Sequence, residues 1–594
     1  MSSRIPISRV VLPIVLTLLA FCVSARGQAP DAQAASIRVR IYSLRSLKQL
    51  TVAPLENASW KACASCRLHP LSTQITVQAA GSELRYGNSK SNKFYLAGKY
   101  HLQVAGEHAI ESRYPLEVRG QSDSLILVLS MPMEDYVAAV LAGESGNFQS
   151  DEALKAMAVA VRTYAVHFRG RHQSEHFDFC DTTHCQDLHF SAVTDRQRSA
   201  VEATEGELLW FQGSPAATYY HQNCGGTTAA VNEVWPQTNA NYLAAHPDPY
   251  CQRSEHARWE SRISKSDLRS ALLKSGVQIP ADWKSLQVES HSQSGRVQLI
   301  EVTGKDDKPE MKLSASTLRF AVDRALGWNQ IKSDFYQLKD SGNEILFSGR
   351  GSGHGVGLCQ EGADAMGMQG KSYREILAFY FPGTRLGVSA QGLAWHLLHS
   401  EQLDVLSTEE NINAGVLAAI QKAFRTALMN SGLQPISHPL LKIYPTLNIY
   451  RDSTGEPGWV AASTRGNTIR LQPAELLQQK GLLESTLRHE FLHILVESNT
   501  HASLPLWFRE GLVLYLAEGN TRVLNSATLS AGQIEAALQN PQSRELTQQA
   551  YASARTAVAR LVAQRGKAEV MQWLNRGIPA GALAFLSTAQ TTQH

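Results

Sequence analysis

At 594 residues the chain is too long for one hydrophobic core, and its length predicts two to four domains. An apolar fraction of 43% and a charged fraction of 18% are those of a folded globular protein, which excludes extended disorder. A formal charge of +3 leaves no basic field for nucleic acid, and no Lys/Arg stripe interleaved with aromatics is present.

The N-terminus carries Arg4 and Arg9 ahead of the apolar run Val10 to Val23, followed by the small and polar stretch Ser24 to Ala29. That order predicts a secretory signal over residues 1–29. A retained anchor is the alternative, but the run is shorter than the roughly 20 residues of a spanning helix. The expected location is therefore outside the cytoplasm, in the periplasm, cell wall or medium, with no integral membrane segment after cleavage. Of the eight cysteines, the seven beyond Cys22 make an odd number, so at least one is expected as a free, buried or metal-bound thiol.

From Ser36 to about Gly120 short alternating runs such as Ile37 to Ile41 and Tyr100 to Val104 predict a β-rich part, with one more strand at Ser124 to Leu129. Helical periodicity follows over Met133 to Glu144 and Asp151 to Phe168, the second with Ser150 as N-cap. A mixed region runs to about Ser389, containing the Gly-dense loop Gly349 to Gly357 and a helix over Ser372 to Phe379. Residues 390–412 read as a linker. Beyond them a helix over Val416 to Met429, strands near Leu441 to Tyr450 and at Thr468 to Leu471, and a helix from Leu482 to Val496 form a second unit over 413–594. The fold class expected is α+β and multidomain.

Glu144 follows Val137, Val140 and Leu141 by seven, four and three residues, so on a helix it lies along the apolar stripe. A carboxyl held against apolar surface has a raised pKa suited to a general acid; a solvated helix end is the plain alternative. His176, Cys180, His184 and Cys185 place two imidazoles and two thiols within ten residues, a donor set for tetrahedral zinc or, equally, a Cys180–Cys185 disulfide with exposed histidines. The Gly-dense loop lacks the Lys-Ser/Thr ending of a nucleotide loop, and its His354 reads as a substrate contact or a buried hydrogen-bonded histidine.

Met131 to Tyr136, Gly143-Glu144, Ala153 to Ala165, Cys180 to Gln186, and Gly353 to Gly357 with Gln360, Gly362 and Ala363 together resemble the successive signatures of the stage II sporulation protein D (SpoIID) family, from about Ile37 to Gly387. The resemblance implies a β-rich part (36–120) leading into a catalytic core (121–389) that is a lytic transglycosylase. It would act on peptidoglycan glycan strands stripped of stem peptides, with Glu144 as catalytic acid. It also implies a structural zinc on His176, Cys180, His184 and Cys185. Arg162, Tyr164, His221, His354 and Gln360 in these segments are the candidate glycan contacts. Relatives described as amidase enhancers imply the alternative of a non-catalytic wall-binding module with a cell-wall amidase as partner. Cys359 and Glu361 flanking Gln360, and His221 to Gly226, depart from the family pattern, and Cys224 with Cys251 would suit a disulfide in an exported protein.

In the second unit His489-Glu490-Phe491-Leu492-His493 sets two histidines on one helical face, able to share a zinc beside Glu490 as base. With Pro505 to Leu512 after it, the region Val416 to Leu561 resembles the glutamate-ligand zinc peptidases of the thermolysin-like clan. This implies Glu510 as third ligand, a catalytic zinc, a mainly helical fold with a small sheet, and Thr468 to Leu471 as the substrate-aligning edge strand. A decayed domain without turnover is the alternative.

Overall fold

The computed structural model describes residues 36–582, apart from 239, 254–256, 305–308, 390–391, 455, 457, 519–528, 540–543 and 580. The expected signal at 1–29 lies outside the described residues. Among the described residues no helix is long and apolar enough to cross a membrane. The architecture is mixed α+β and multidomain, with three large cores and several sheets.

The N-terminal part contributes most of an eleven-stranded sheet. Its strand Ser36–Ile41 alternates half-buried and buried positions, the period-2 pattern of a one-sided strand. It pairs antiparallel with Ser124–Pro132 and parallel with the short strand Phe179–Cys180, in the register Arg40 opposite Cys180. The loop bearing the Cys180 cluster is thereby stitched to the sheet, and Asp178 and Asp181 accept from the backbone N–H groups of Arg38 (2.8 Å) and Tyr42 (2.5 Å).

Against this sheet pack the helices Met133–Glu144 and Asp151–His167. Ser150 caps the second, its hydroxyl accepting from Ala153 N–H at 3.3 Å, and Asp151 and Glu152 occupy the first turn, where the helix dipole favours acids. The helix is buried nearly all round from Ala153 to Ala165, since Asp195–Ala203, Gln360–Met368 and Tyr373–Tyr380 also pack on it. Glu144 is the last residue of its helix.

Between Arg258 and Arg350 the chain leaves this core to build a separate one, with two three-stranded sheets and the helices Lys265–Lys274 and Ala315–Leu326 around Trp259, Ile300 and Phe347.

The C-terminal unit is a five-stranded sheet in the order 396–398, 404–407, 440–443, 468–471, 462–465, packed with helices. Two of these strands lie inside 390–412, so the segment read as a linker carries part of the sheet. Residues 447–450, expected to continue a strand, open the helix Leu447–Thr454. Thr468–Leu471 is an interior strand, buried at all four positions, and the edge is Ala462–Arg465, which runs antiparallel to it. The uninterrupted burial explains the misplacement, because a four-residue strand shows no alternation when both faces are covered.

Candidate functional site

Glu144 opens into a cleft of about 1040 Å³ lined by Tyr164, Tyr219, Tyr220, Trp235, His354 and Gln360 among others. Burial pushes its carboxyl up from 4.5 to about 7. Three donors oppose that shift without cancelling it. Asp187 N–H donates to Oε1 at 2.9 Å, Gln360 Nε2 to Oε2 at 3.3 Å, and the Tyr220 hydroxyl also bonds it. Gln360 Nε2 additionally reaches the Glu144 carbonyl at 3.0 Å, tying the helix end to its own side chain. Tyr220 is held in turn, accepting from Gln186 Nε2 at 2.9 Å while Tyr136 donates to Gln186 Oε1 at 2.8 Å.

Gly143 permits this arrangement. A Cβ there would stand 2.5 Å from the Asp187 carbonyl oxygen, so a side chain would push away the loop that supplies the Asp187 donor.

Tyr164 is mostly buried in the cleft wall, its hydroxyl accepting from Arg171 at 2.9 Å. Tyr219 stacks on Trp235 with ring centroids 4.5 Å apart, an aromatic platform facing the cleft. His221 and His354 both line it. Burial holds the imidazoles of both below the usual histidine range, with His354 down to about 3. His354 Nδ1 accepts from Val356 N–H at 3.0 Å, whereas His221 Nε2 is buried without a partner.

Arg162 is not in the cleft. It is 1% exposed, forks onto Glu134 (Nε to Oε1 2.9 Å, Nη2 to Oε2 2.6 Å) and donates to the Glu207 carbonyl, so it is a structural ion pair and not a glycan contact. Its position in the middle of an all-buried helix is the physical reason.

The thiol–imidazole cluster forms with one substitution of partner. His172, Cys180, His184 and Cys185 bring four donor atoms within 4.8 Å of one another. Cys180 Sγ lies 3.2 Å from Cys185 Sγ, His172 Nε2 3.3 Å from Cys185 Sγ, and His184 Nδ1 3.6 Å from Cys180 Sγ. His176 is excluded. The chain reverses there with φ 61°, leaving His176 exposed, and His172 is carried back by its bridge to Phe177. His172 Nδ1 is oriented by Glu175 Oε1 at 2.8 Å, the carboxylate support usual behind a metal-binding imidazole. Donation from the Cys185 thiol pulls Cys180 below the usual thiol range, the direction that favours a thiolate ligand.

A second group of donors lies in the C-terminal unit. The helix Leu483–Ser498 presents His489 and His493 on one face, and Leu506–Glu518 brings Glu510, all three donor atoms within 4.8 Å. Burial keeps both imidazoles neutral, at about 4 and about 3. Glu490 is raised by burial to about 7 and accepts from the Thr464 hydroxyl at 2.7 Å, a residue of the edge strand.

Cys63 and Cys66 form a disulfide, and the other five cysteines from Cys180 onward are free and buried. Cys224 and Cys251, expected as a pair, are not bonded.

Residues 121–211 match the family model described as Stage II sporulation protein (SpoIID), and 237–357 match a domain of unknown function, DUF8618. An uncharacterized protein of Brachyspira hyodysenteriae is 31% identical over 264 residues, 44% of this chain and 68% of that protein. The amidase enhancer of Bacillus subtilis is 28% identical over 278 residues, 40% of this chain and 38% of that protein. Stage II sporulation protein D of the same species is 24% identical over 275 residues, 44% and 75% of the two chains. The chain belongs to the SpoIID family through this central region.

Proposed function

We propose that the central cleft cuts peptidoglycan glycan strands, already stripped of stem peptides, by lytic transglycosylation. The observation that carries this is the Glu144 carboxyl, poised at about 7 and held by neutral donors in an open cleft with an aromatic platform, while the cleft's other carboxyls, Glu361 and Asp364, are engaged by Asn223 and by the backbone N–H groups of Gln149 and Ser150. Protonated Glu144 gives its proton to the glycosidic oxygen as the bond from that oxygen to C1 breaks. The sugar's own C6 hydroxyl closes on C1, and the Glu144 carboxylate takes the proton this hydroxyl loses. The products are an anhydro end and a free hydroxyl end, no water is consumed, and the acid is regenerated. Tyr219 and Trp235 offer ring faces to the sugars. A zinc on His172, Cys180, His184 and Cys185 fits the donor set and, with four protein ligands, would be structural.

A separate observation supports a second activity, a zinc peptidase in the C-terminal unit. His489, His493 and Glu510 fit a three-ligand site, and both imidazoles are neutral as ligation requires. Zinc bound there would supply Lewis-acid activation of water. Glu490, fixed by Thr464, is placed to take a proton at its carboxylate, and the edge strand Ala462–Arg465 is available to pair with an extended peptide. On this reading the protein acts outside the cytoplasm, with peptidoglycan as its partner.

Digestion of denuded glycan strands by the full chain and by Glu144→Gln, followed by mass analysis, tests the first reading. Anhydro-muramyl ends from the wild type alone are expected. Equal yields from both would remove Glu144 from the chemistry. Binding of strands without cleavage by either would favour a module that anchors the peptidase to the wall or assists an amidase.

A further inference from the structure

We infer that Cys224, Asp248, Cys251 and Cys359 form a further zinc site, one that bolts both roots of the segment 237–357 to the wall of the Glu144 cleft. Their donor atoms lie within 4.8 Å of one another. Cys224 Sγ stands 3.3 Å from Cys251 Sγ and 3.2 Å from Asp248 Oδ2. Zinc with bonds of about 2.3 Å to sulfur sets tetrahedral sulfurs about 3.8 Å apart, so small adjustments admit the ion, and three thiolates with one carboxylate is a soft, closed donor set.

Five features of the surroundings favour charged ligands over packed thiols. All four side chains are buried, at no more than 1% exposure, and a buried carboxylate such as that of Asp248 is not accepted without compensation. Cys359 Sγ caps the helix Gln360–Met368, accepting from Gly362 N–H at 3.4 Å and from Cys224 N–H at 3.3 Å, so its sulfur sits where a thiolate is stabilised. Asp248 is oriented by Tyr380 Oη at 2.9 Å and Tyr250 N–H at 2.9 Å, the outer support of a ligating carboxylate. The buried Arg296 guanidinium donates to the Cys224 carbonyl at 2.8 Å and offsets the negative charge that three thiolates and a carboxylate leave on a divalent ion. A Cβ on Gly362 would come within 2.7 Å of Asp248 Oδ2, so the helix approaches the cluster as closely as glycine allows.

The placement gives the ion a task. Cys224 lies before the segment 237–357, Asp248 and Cys251 at its entry, and Cys359 just after its exit. Cys359 is followed by Gln360, which holds Glu144, so one ion would join the inserted unit and the helix start that positions the acid.

The test uses the full chain loaded with cobalt. In Cys180→Ser/Cys185→Ser, which removes two of the five free thiols, thiolate-to-cobalt charge-transfer absorption is expected to persist at roughly three-fifths of wild type. Adding Cys251→Ser should cut it at least several-fold further. Loss of the absorption in the first variant would overturn the site. On wild type purified without reductant, denaturation and alkylation are expected to modify Cys224, Cys251 and Cys359 alike. A Cys224–Cys251 disulfide in that mapping would overturn the proposal whether or not the variants fold.

Discussion

Two glutamates in this chain have been moved by burial to the same place, about 7, yet their neighbours prepare them for different tasks. Glu144 accepts from Asp187 N–H and Gln360 Nε2, whereas Glu490 accepts from Thr464 and shares its helix with the neutral imidazoles of His489 and His493. A raised carboxyl pKa therefore does not by itself name a chemistry. The donors around Glu144 suit a group that gives and retakes one proton, and the imidazoles beside Glu490 would suit a group that serves a metal.

The largest expected effect sharpens that contrast. Glu144→Gln should lower glycan cleavage by about 10²- to 10⁴-fold and leave peptide cleavage unchanged, with Glu490→Gln doing the reverse, each read by product mass analysis. If one substitution silenced both activities, the sites would not be independent. Arg162→Ala strands Glu134 in the interior and should cost about 3 to 5 kcal/mol in chemical denaturation. The glycan products formed by the molecules that remain folded should not change.

Changing pH probes the acid more gently. Glycan cleavage should fall about tenfold per unit as pH rises beyond about 7, because the proton to be donated is lost. Stability has a matching signature. The folded-state pKa lies above the unfolded one, so stability drops as pH climbs from 4.5 to about 7 and is level above that; Glu144→Gln should abolish its share of the drop in denaturation curves. The smallest effect is expected for Gln360→Met, which removes a donor that stabilises the Glu144 carboxylate. The pH limb should move upward by a fraction of a unit.

Much of this was legible before the fold was known. Ser150 capped its helix as expected, Val137 and Val140 buried the face that carries Glu144, and the spacing of His489 and His493 put both on one side of a turn. What escaped depended on chain reversals. His172 and His176 are equally plausible by type, and the left-handed turn at His176 chooses between them. Asp187 and Tyr220 reach Glu144 from distant stretches, with Gln186 holding Tyr220, and none carries a periodicity that would mark it; Gln186, lying within a family signature, was the one with a signal. Arg162 shared such a signature but served packing, because its helix has no exposed face.

Lys442, on an interior strand of the C-terminal sheet, is fully buried and ends 3.4 Å from Glu205 Oε2 of the central region, while Arg470 meets the same carboxylate at 3.1 Å. The seam between the halves is thus an ionic lock whose two keys and single tumbler come from different sides. A cut at Ala414 would leave two cations without their counter-charge and discard the strands at 396–398 and 404–407. Dissection of this protein is for that reason better done by single side chains than by scissors.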